Sequence, residues 1–197
     1  VIFWEDYRST GKEFCANLYG QSYQSKPCCA LGNMNCDDDG STNCDGGPCD
    51  TFNVLDIVML ANCVLAGNCP ELDFFCAADV NGDGDYNVLD IVTLANCVLG
   101  QNCRGRIDDA IHSRIIIQDN VVSIEADGFI GGVQMTLQHS ADFSIEMTDF
   151  AFSGTGYLTS GNETRLLVIS PETNELFSYS GDFEITEIIV ANSHAEI

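Results

Sequence analysis

Residues 53–69, NVLDIVMLANCVLAGNC, and residues 87–103, NVLDIVTLANCVLGQNC, are identical at 14 of 17 positions after a shift of 34 places. A match of that length is a duplication, so each copy is one structural unit that repeats its own contacts. In the first copy Val54, Leu55, Ile57, Val58, Leu60, Ala61, Val64 and Leu65 recur at helical spacing, and the second copy repeats the pattern. Each copy therefore predicts a broadly apolar helix of roughly three turns. Two such helices can bury their faces against each other.

The second helix is preceded by DVNGDGDYNVLD, residues 79–90. Carboxylates this close repel one another, and a merely solvated acidic loop has no need of fixed spacing or of glycines between the acids. A hard cation needs both. Ca²⁺ takes six to eight oxygens, which a tight loop delivers from positions 1, 3 and 5, a backbone carbonyl at 7, and a carboxylate at 12. Those positions are Asp79, Asn81, Asp83, the Asp85 carbonyl and Asp90, with Asn87 at position 9 acting directly or through a water. Gly84 falls at position 6, where the chain turns sharply. Asp in place of Glu at position 12 is a shorter arm that still binds with both oxygens.

The loop before the first helix is longer: CDDDGSTNCDGGPCDTF precedes Asn53 and Asp56, which match positions 9 and 12. With Asn43 and Asp45 as positions 3 and 5 and Gly46 as position 6, Gly47–Asp50 is an insertion. Ser41 or Asp39 then stands at position 1, and Thr51, Asn53 and Asp56 complete the set. This predicts two Ca²⁺ sites. Cys44 and Cys49 bracket the insertion and are expected to close it as a small disulfide loop.

A duplicated DxNxDGxxNxxD loop followed by a helix resembles a dockerin, over about residues 36–103. The resemblance implies a module that folds only with calcium and uses its two near-symmetric helices as a docking face for a cohesin partner. Many dockerins carry a Ser/Thr pair at loop positions 10 and 11. Here those positions are Val54, Leu55, Val88 and Leu89, a departure that points to an apolar contact within the same chain.

All eleven cysteines lie at or before Cys103. No paired CxxC set is present and no histidine has ligand-like spacing to them, so a disulfide framework in an oxidising compartment fits better than zinc. Cys63 and Cys69, like Cys97 and Cys103, straddle a helix end in both copies, which predicts one bridge per repeat. Thirty acidic against seven basic residues give a formal charge of −23, which disfavours nucleic acid and anionic membranes as partners. No apolar run is long enough to span a membrane. The chain opens at Val1 without Met or a signal peptide and is read as a mature or excised segment.

After residue 111 cysteine disappears and short β-branched runs take over. RIIIQDNVVSIEA reads as a hairpin turning at Asp119 and Asn120. FIGGVQMTLQHS, DFSIEMTDFAF, TRLLVIS, NELFSYS and DFEITEIIVAN follow as strands. Six to eight strands in about 90 residues predict a β-sandwich. The stretch IGGVQMTLQHSADFSIEMT resembles the early strands of cohesin-like sandwiches, which implies a socket for a dockerin-like plug. The expected organisation is α+β and multi-modular: a Cys-containing N-terminal segment (1–35), the calcium module (36–103), a linker (104–111) and the sandwich (112–197). The extended VIFWEDYRS at the N-terminus is a candidate donated strand. Asn162, in the triplet NET, is a glycosylation acceptor.

The sequence holds no GxSxG elbow, HExxH, P-loop or dinucleotide fingerprint, and His112, His139 and His194 are isolated. The reading is therefore a non-enzymatic, extracellular or cell-surface calcium-binding assembly protein. Its partner is protein: the chain itself, head to tail in a filament, or a cohesin-like scaffold. The alternative is dockerin-type anchoring of a carbohydrate-binding module, with glycan as partner and Tyr157, Phe177 and Tyr179 as aromatic platform candidates.

Overall fold

The computed structural model describes residues 32–34, 53–72, 75–100, 108–148 and 155–194. Helix α1 (Val54–Ala66) begins where Asn53 accepts the Leu55 amide and Asp56 accepts the Asn53 amide, a reciprocal capping box. It ends at Gly67 with φ +64°, a left-handed position that glycine reaches at no steric cost. Helix α2 (Val88–Gly100) repeats the start, with the Leu89 amide on Asn87 Oδ1 and the Asn87 amide on Asp90 Oδ2.

Eight strands among the described residues form two antiparallel sheets: β1 (Ser113–Gln118), β2 (Val121–Ala126), β3 (Gly132–His139), β4 (Ser144–Met147), β5 (Gly156–Ser160), β6 (Glu163–Ile169), β7 (Glu175–Ser180) and β8 (Phe183–Ala191). One sheet runs β1-β2-β7-β4 and the other β5-β6-β3-β8. The fold is thus α+β, with a two-helix module and a β-sandwich. Asp119 and Asn120 form the two-residue turn of the first hairpin with φ of 53° and 63°, the twist that suits antiparallel strands. Strand β5 was not among the segments expected from the sequence. It is an edge strand with Tyr157–Ser160 exposed, so no alternation of buried and exposed residues marks it.

Val122, Ile124, Val133, Met135, Leu137, Leu166, Val168, Leu176 and Phe177 fill the space between the sheets. A second core lies outside the sandwich, where Ile57, Leu60, Val64, Val88, Ile91, Val92 and Leu94 of the helices meet Leu167 and Ile169 of β6 and Ala191 of β8. The architecture is therefore three layers, with the helices on the outer face of β5-β6-β3-β8. This explains why Leu166 to Ile169 is a continuous apolar run: both faces of β6 are covered there. Lower on the same strand, Glu163 and Arg165 are only partly buried and alternation returns.

The end of the expected linker is tied into the sandwich. Asp109 bridges to Phe129, the Ala110 amide donates to Phe129 O, and the Phe129 amide donates to Asp108 O. Asp109 also accepts from the Ser193 hydroxyl at 2.6 Å and the Ser193 amide at 3.1 Å, and lies 2.5 Å from His194 Nδ1. Burial alone would push the Asp109 carboxyl up, but these bonds outweigh it and hold the group below its usual range.

Candidate functional site

Asp90 closes the 79–90 loop. Its Oδ1 accepts the amides of Val80 (2.8 Å) and Asn81 (3.2 Å) at the entrance, and its Oδ2 accepts the Asn87 amide (3.0 Å) at the exit. Between these ends, the Gly84 amide donates to Asp79 Oδ2, the Asp83 amide to Asn81 Oδ1 and the Asp85 amide to Asp83 Oδ1. Gly82 and Gly84 have φ of 76° and 91°, and a Cβ on either would meet nothing within 4 Å. Backbone conformation, not space, demands glycine at both.

Among the described residues no three His, Cys, Asp or Glu side chains converge as a metal centre. The chemistry of the loop nevertheless fits a hard cation. Asp79 Oδ1 is buried and has no hydrogen-bond partner, which in a native loop costs about 1–3 kcal/mol unless something meets it. Burial pushes the Asp90 carboxyl up to about 6, against the amides of Asn87, Asn81 and Val80. Positive charge beside it would restore its ionised form. Asp79, Asn81, Asp83 and Asp90 are the oxygens available to such an ion, with the Asp85 carbonyl.

Of the residues expected in the first loop, Asn43, Asp45 and Thr51 lie outside the described residues, whereas Asn53 and Asp56 cap α1. Asp56 is fully buried, and its Oδ1 accepts the amide of Met34 at 2.8 Å. That partner, 22 residues upstream, was not anticipated from the sequence.

The second candidate surface is the seat of the helices on the sandwich. Val88, fully buried, and Val92, 2% exposed, rest over Gly131 and Gly132, so close that a Cβ on Gly132 would lie 2.6 Å from Val88 Cγ2. Polar contacts fix the register: the Val88 amide donates to Gln134 Oε1 at 3.0 Å, and Asn96 Nδ2 donates to Ser193 O at 2.6 Å. Helix α1 lies along β6 and β5, where the Arg165 guanidinium packs over Gly67 at the helix C-terminus, the end that favours positive charge. The intrachain apolar contact expected of loop positions 10 and 11 exists for Val88 in the second copy. In the first copy Val54 and Leu55 are 44% and 62% exposed.

Cys63 and Cys69 are joined in a disulfide across the end of α1, and Cys97 is also disulfide-bonded. Cys44, Cys49 and Cys103 lie outside the described residues. Asn162 is exposed in the β5–β6 turn beside Gly161. Its triplet partner Thr164 is buried, bonded to Thr159 and His139. His139 stacks on Phe143 in the core, His112 faces Asp127, and His194 faces Asp109. Of the aromatic platform candidates, Phe177 is fully buried and Tyr179 packs edge-on against Phe183, so both serve the core; Tyr157 alone is exposed. No helix among the described residues is long and apolar enough to cross a membrane.

Residues 50–99 match the family model of the dockerin type I domain, a module that binds Ca²⁺ through EF-hand-like loops and docks with cohesin partners in extracellular assemblies. No curated protein and no solved structure matches the chain. The chain thus carries, over residues 50–99, a region similar to the dockerin type I domain, followed by a sandwich of two antiparallel sheets.

Proposed function

We propose that this chain is a calcium-dependent extracellular assembly protein whose dockerin-like module plugs into a cohesin-like sandwich. The same contact, made between copies, joins them head to tail. The observation that carries the reading is the seat itself: within one chain, α2 presents Val88, Val92 and Asn96 to the outer face of β5-β6-β3-β8. A sheet face that accepts a plug in its own chain accepts the same plug from a neighbour once its own α2 has left the seat.

The repeat supplies a second plug surface. Val54, Val58 and Asn62 are the copies of Val88, Val92 and Asn96 at an offset of 34; Val54 and Asn62 are exposed and Val58 is partly so. Contacts of this kind are heterologous and extend into a filament when the rotation does not close. Calcium's role is structural: in the 79–90 loop it neutralises Asp79, Asp83 and Asp90 and so holds α2 ready to seat. The N-terminal VIFWEDYRS remains the candidate donated strand, because β1 is a sheet edge among the described residues.

Sedimentation velocity of the oxidised chain, with calcium and then with excess chelator, tests this. Particles that grow with protein concentration and disperse on chelation are expected. Val54→Asp, at an exposed position of that surface, should abolish growth while leaving the monomer folded. A chain that stays monomeric in calcium at every concentration refutes self-assembly and leaves a separate cohesin-like scaffold as the partner.

A further inference from the structure

The two copies of the helical repeat differ at three of 17 positions: Met59 against Thr93, Ala66 against Gly100, and Gly67 against Gln101. The residues of α2 that define the seat are the same in both, since Val88, Val92 and Asn96 have Val54, Val58 and Asn62 as their copies. The helices lie antiparallel on the sheet. The Val88 amide, at the start of α2, bonds Gln134 of β3, and the Arg165 guanidinium, one outward row away on β6, packs over Gly67 at the end of α1. Half a turn of the plug exchanges the copies, bringing Val54 to Gln134 and Asn62 to the Ser193 carbonyl that Asn96 now holds. The same side chains then meet the same partners. Position 67 is the exception, because the repeat places Gln101 there.

Among the three first-copy residues that differ, Met59 is 39% exposed and Ala66 is exposed, whereas Gly67 lies under a side chain of the sheet. A Cβ at position 67 would overlap Arg165 Nη1 and lie 3.1 Å from Cζ. Glycine thus lets the guanidinium lie against the C-terminal end of the helix, where a cation is favoured. Glu163 steadies it from the same strand, its Oε1 accepting from Arg165 Nε at 3.2 Å.

We propose that Arg165 fixes the orientation of the plug: it accepts the helix end that carries Gly67 and disfavours the one that carries Gln101. The tip of an arginine can swing, so Gln101 does not bar the exchanged orientation. It displaces the guanidinium from the helix end, which makes that orientation the weaker one by about 10-fold in population. A consequence for assembly rests on the self-docking reading above. A neighbour that docks through Val54, Val58 and Asn62 brings its own Gln101 to Arg165, so the joint between copies is weaker than the seat within the chain. Arg165 thereby holds growth back to higher protein concentration.

Methyl NMR of the whole oxidised chain in calcium, labelled at methionine, reads the orientation, because Met59 has Thr93 as its counterpart and changes surroundings when the copies exchange. The parent should give a main Met59 signal and a second about a tenth as strong. Arg165→Ala, and separately Gly67→Gln with Arg165 intact, should each bring the two signals to comparable intensity. A side chain at the φ of +64° found at Gly67 is strained in either orientation, so that strain cancels from the ratio. Met135, in the core of the sandwich, should keep one signal throughout and reports that the sheets stay folded. In sedimentation velocity both variants should begin to grow at about 10-fold lower concentration than the parent. An unchanged Met59 ratio in both variants, or growth that still begins at the parent's concentration, overturns the role of Arg165. Equalised Met59 signals in a chain that never grows leave Arg165 as the key to orientation and refute self-assembly instead.

Discussion

Replacing Gly132 by alanine places a methyl group under helix α2. The new Cβ would lie 2.6 Å from Val88 Cγ2 and 3.0 Å from Val92 Cγ2. Ordinary carbon contacts are about 3.5–4.0 Å, so the overlap with Val88 is roughly 1 Å. Val88 is β-branched and helical, with one strongly preferred side-chain rotamer, and it is fully buried. It cannot swing aside cheaply, so the helix must lift. Overpacking of this kind costs about 1–3 kcal/mol. The loss of glycine's freedom in the unfolded chain works the other way by about 0.4–1 kcal/mol. The net expectation is a loss of about 1–2 kcal/mol, or a drop of about 3–6 °C in Tm for a chain of this size. Val88→Ala alone should cost about 2 kcal/mol, from two lost methyl groups and the cavity they leave. Together the two changes should partly cancel, because the alanine methyl at position 132 enters the space the valine vacated. A coupling of at least about 1 kcal/mol is expected from the double-mutant cycle. Calorimetric unfolding in saturating calcium measures it, and amide exchange across α2 reports whether the helix has lifted. Additive changes, or a Gly132→Ala variant as stable as the parent, would refute the seating of α2 on the sheet.

Replacing Cys63 and Cys69 together by serine opens a link of six residues at the end of α1 and should cost about 2 kcal/mol in denaturant unfolding, with fraying at the last turn of the helix. The Asp109 clasp sets part of the acid sensitivity. Its carboxyl is held below the usual range when folded, so its contribution is complete above the unfolded value of about 3.9 and disappears as pH falls through the lower folded value. Unfolding temperature measured from pH 5 down to pH 2 should therefore fall less steeply for Asp109→Asn than for the parent; parallel curves would remove Asp109 from the account.

The helices, the 79–90 loop and the Asp119–Asn120 hairpin were legible because each is written locally. A helix face recurs every three to four residues, a tight loop that binds its own amides places side-chain oxygens at alternate positions, and a tight turn needs two left-handed residues in succession. The continuous run Leu166–Ile169 carried a further signal, since an antiparallel strand with no alternation has both faces covered. Strand β5 escaped because its exposed edge leaves no pattern, and Phe177 and Tyr179 read equally as a platform or as core until their neighbours are known.

The amino-acid sequence by itself determined the duplication, the acidic loops, the cysteine-rich first half and the β-rich second half. It also determined that the helices are too apolar to stand alone. Only the tertiary structure decided what covers them, because Gly131 and Gly132 say nothing in sequence about the valines that rest on them. It likewise decided that Met34 reaches Asp56, a contact made across 22 residues of chain that no local periodicity encodes. The two copies are nearly identical in sequence, yet Val88 is buried while Val54 is exposed. One sheet face accommodates one plug, so identical local codes end in different environments.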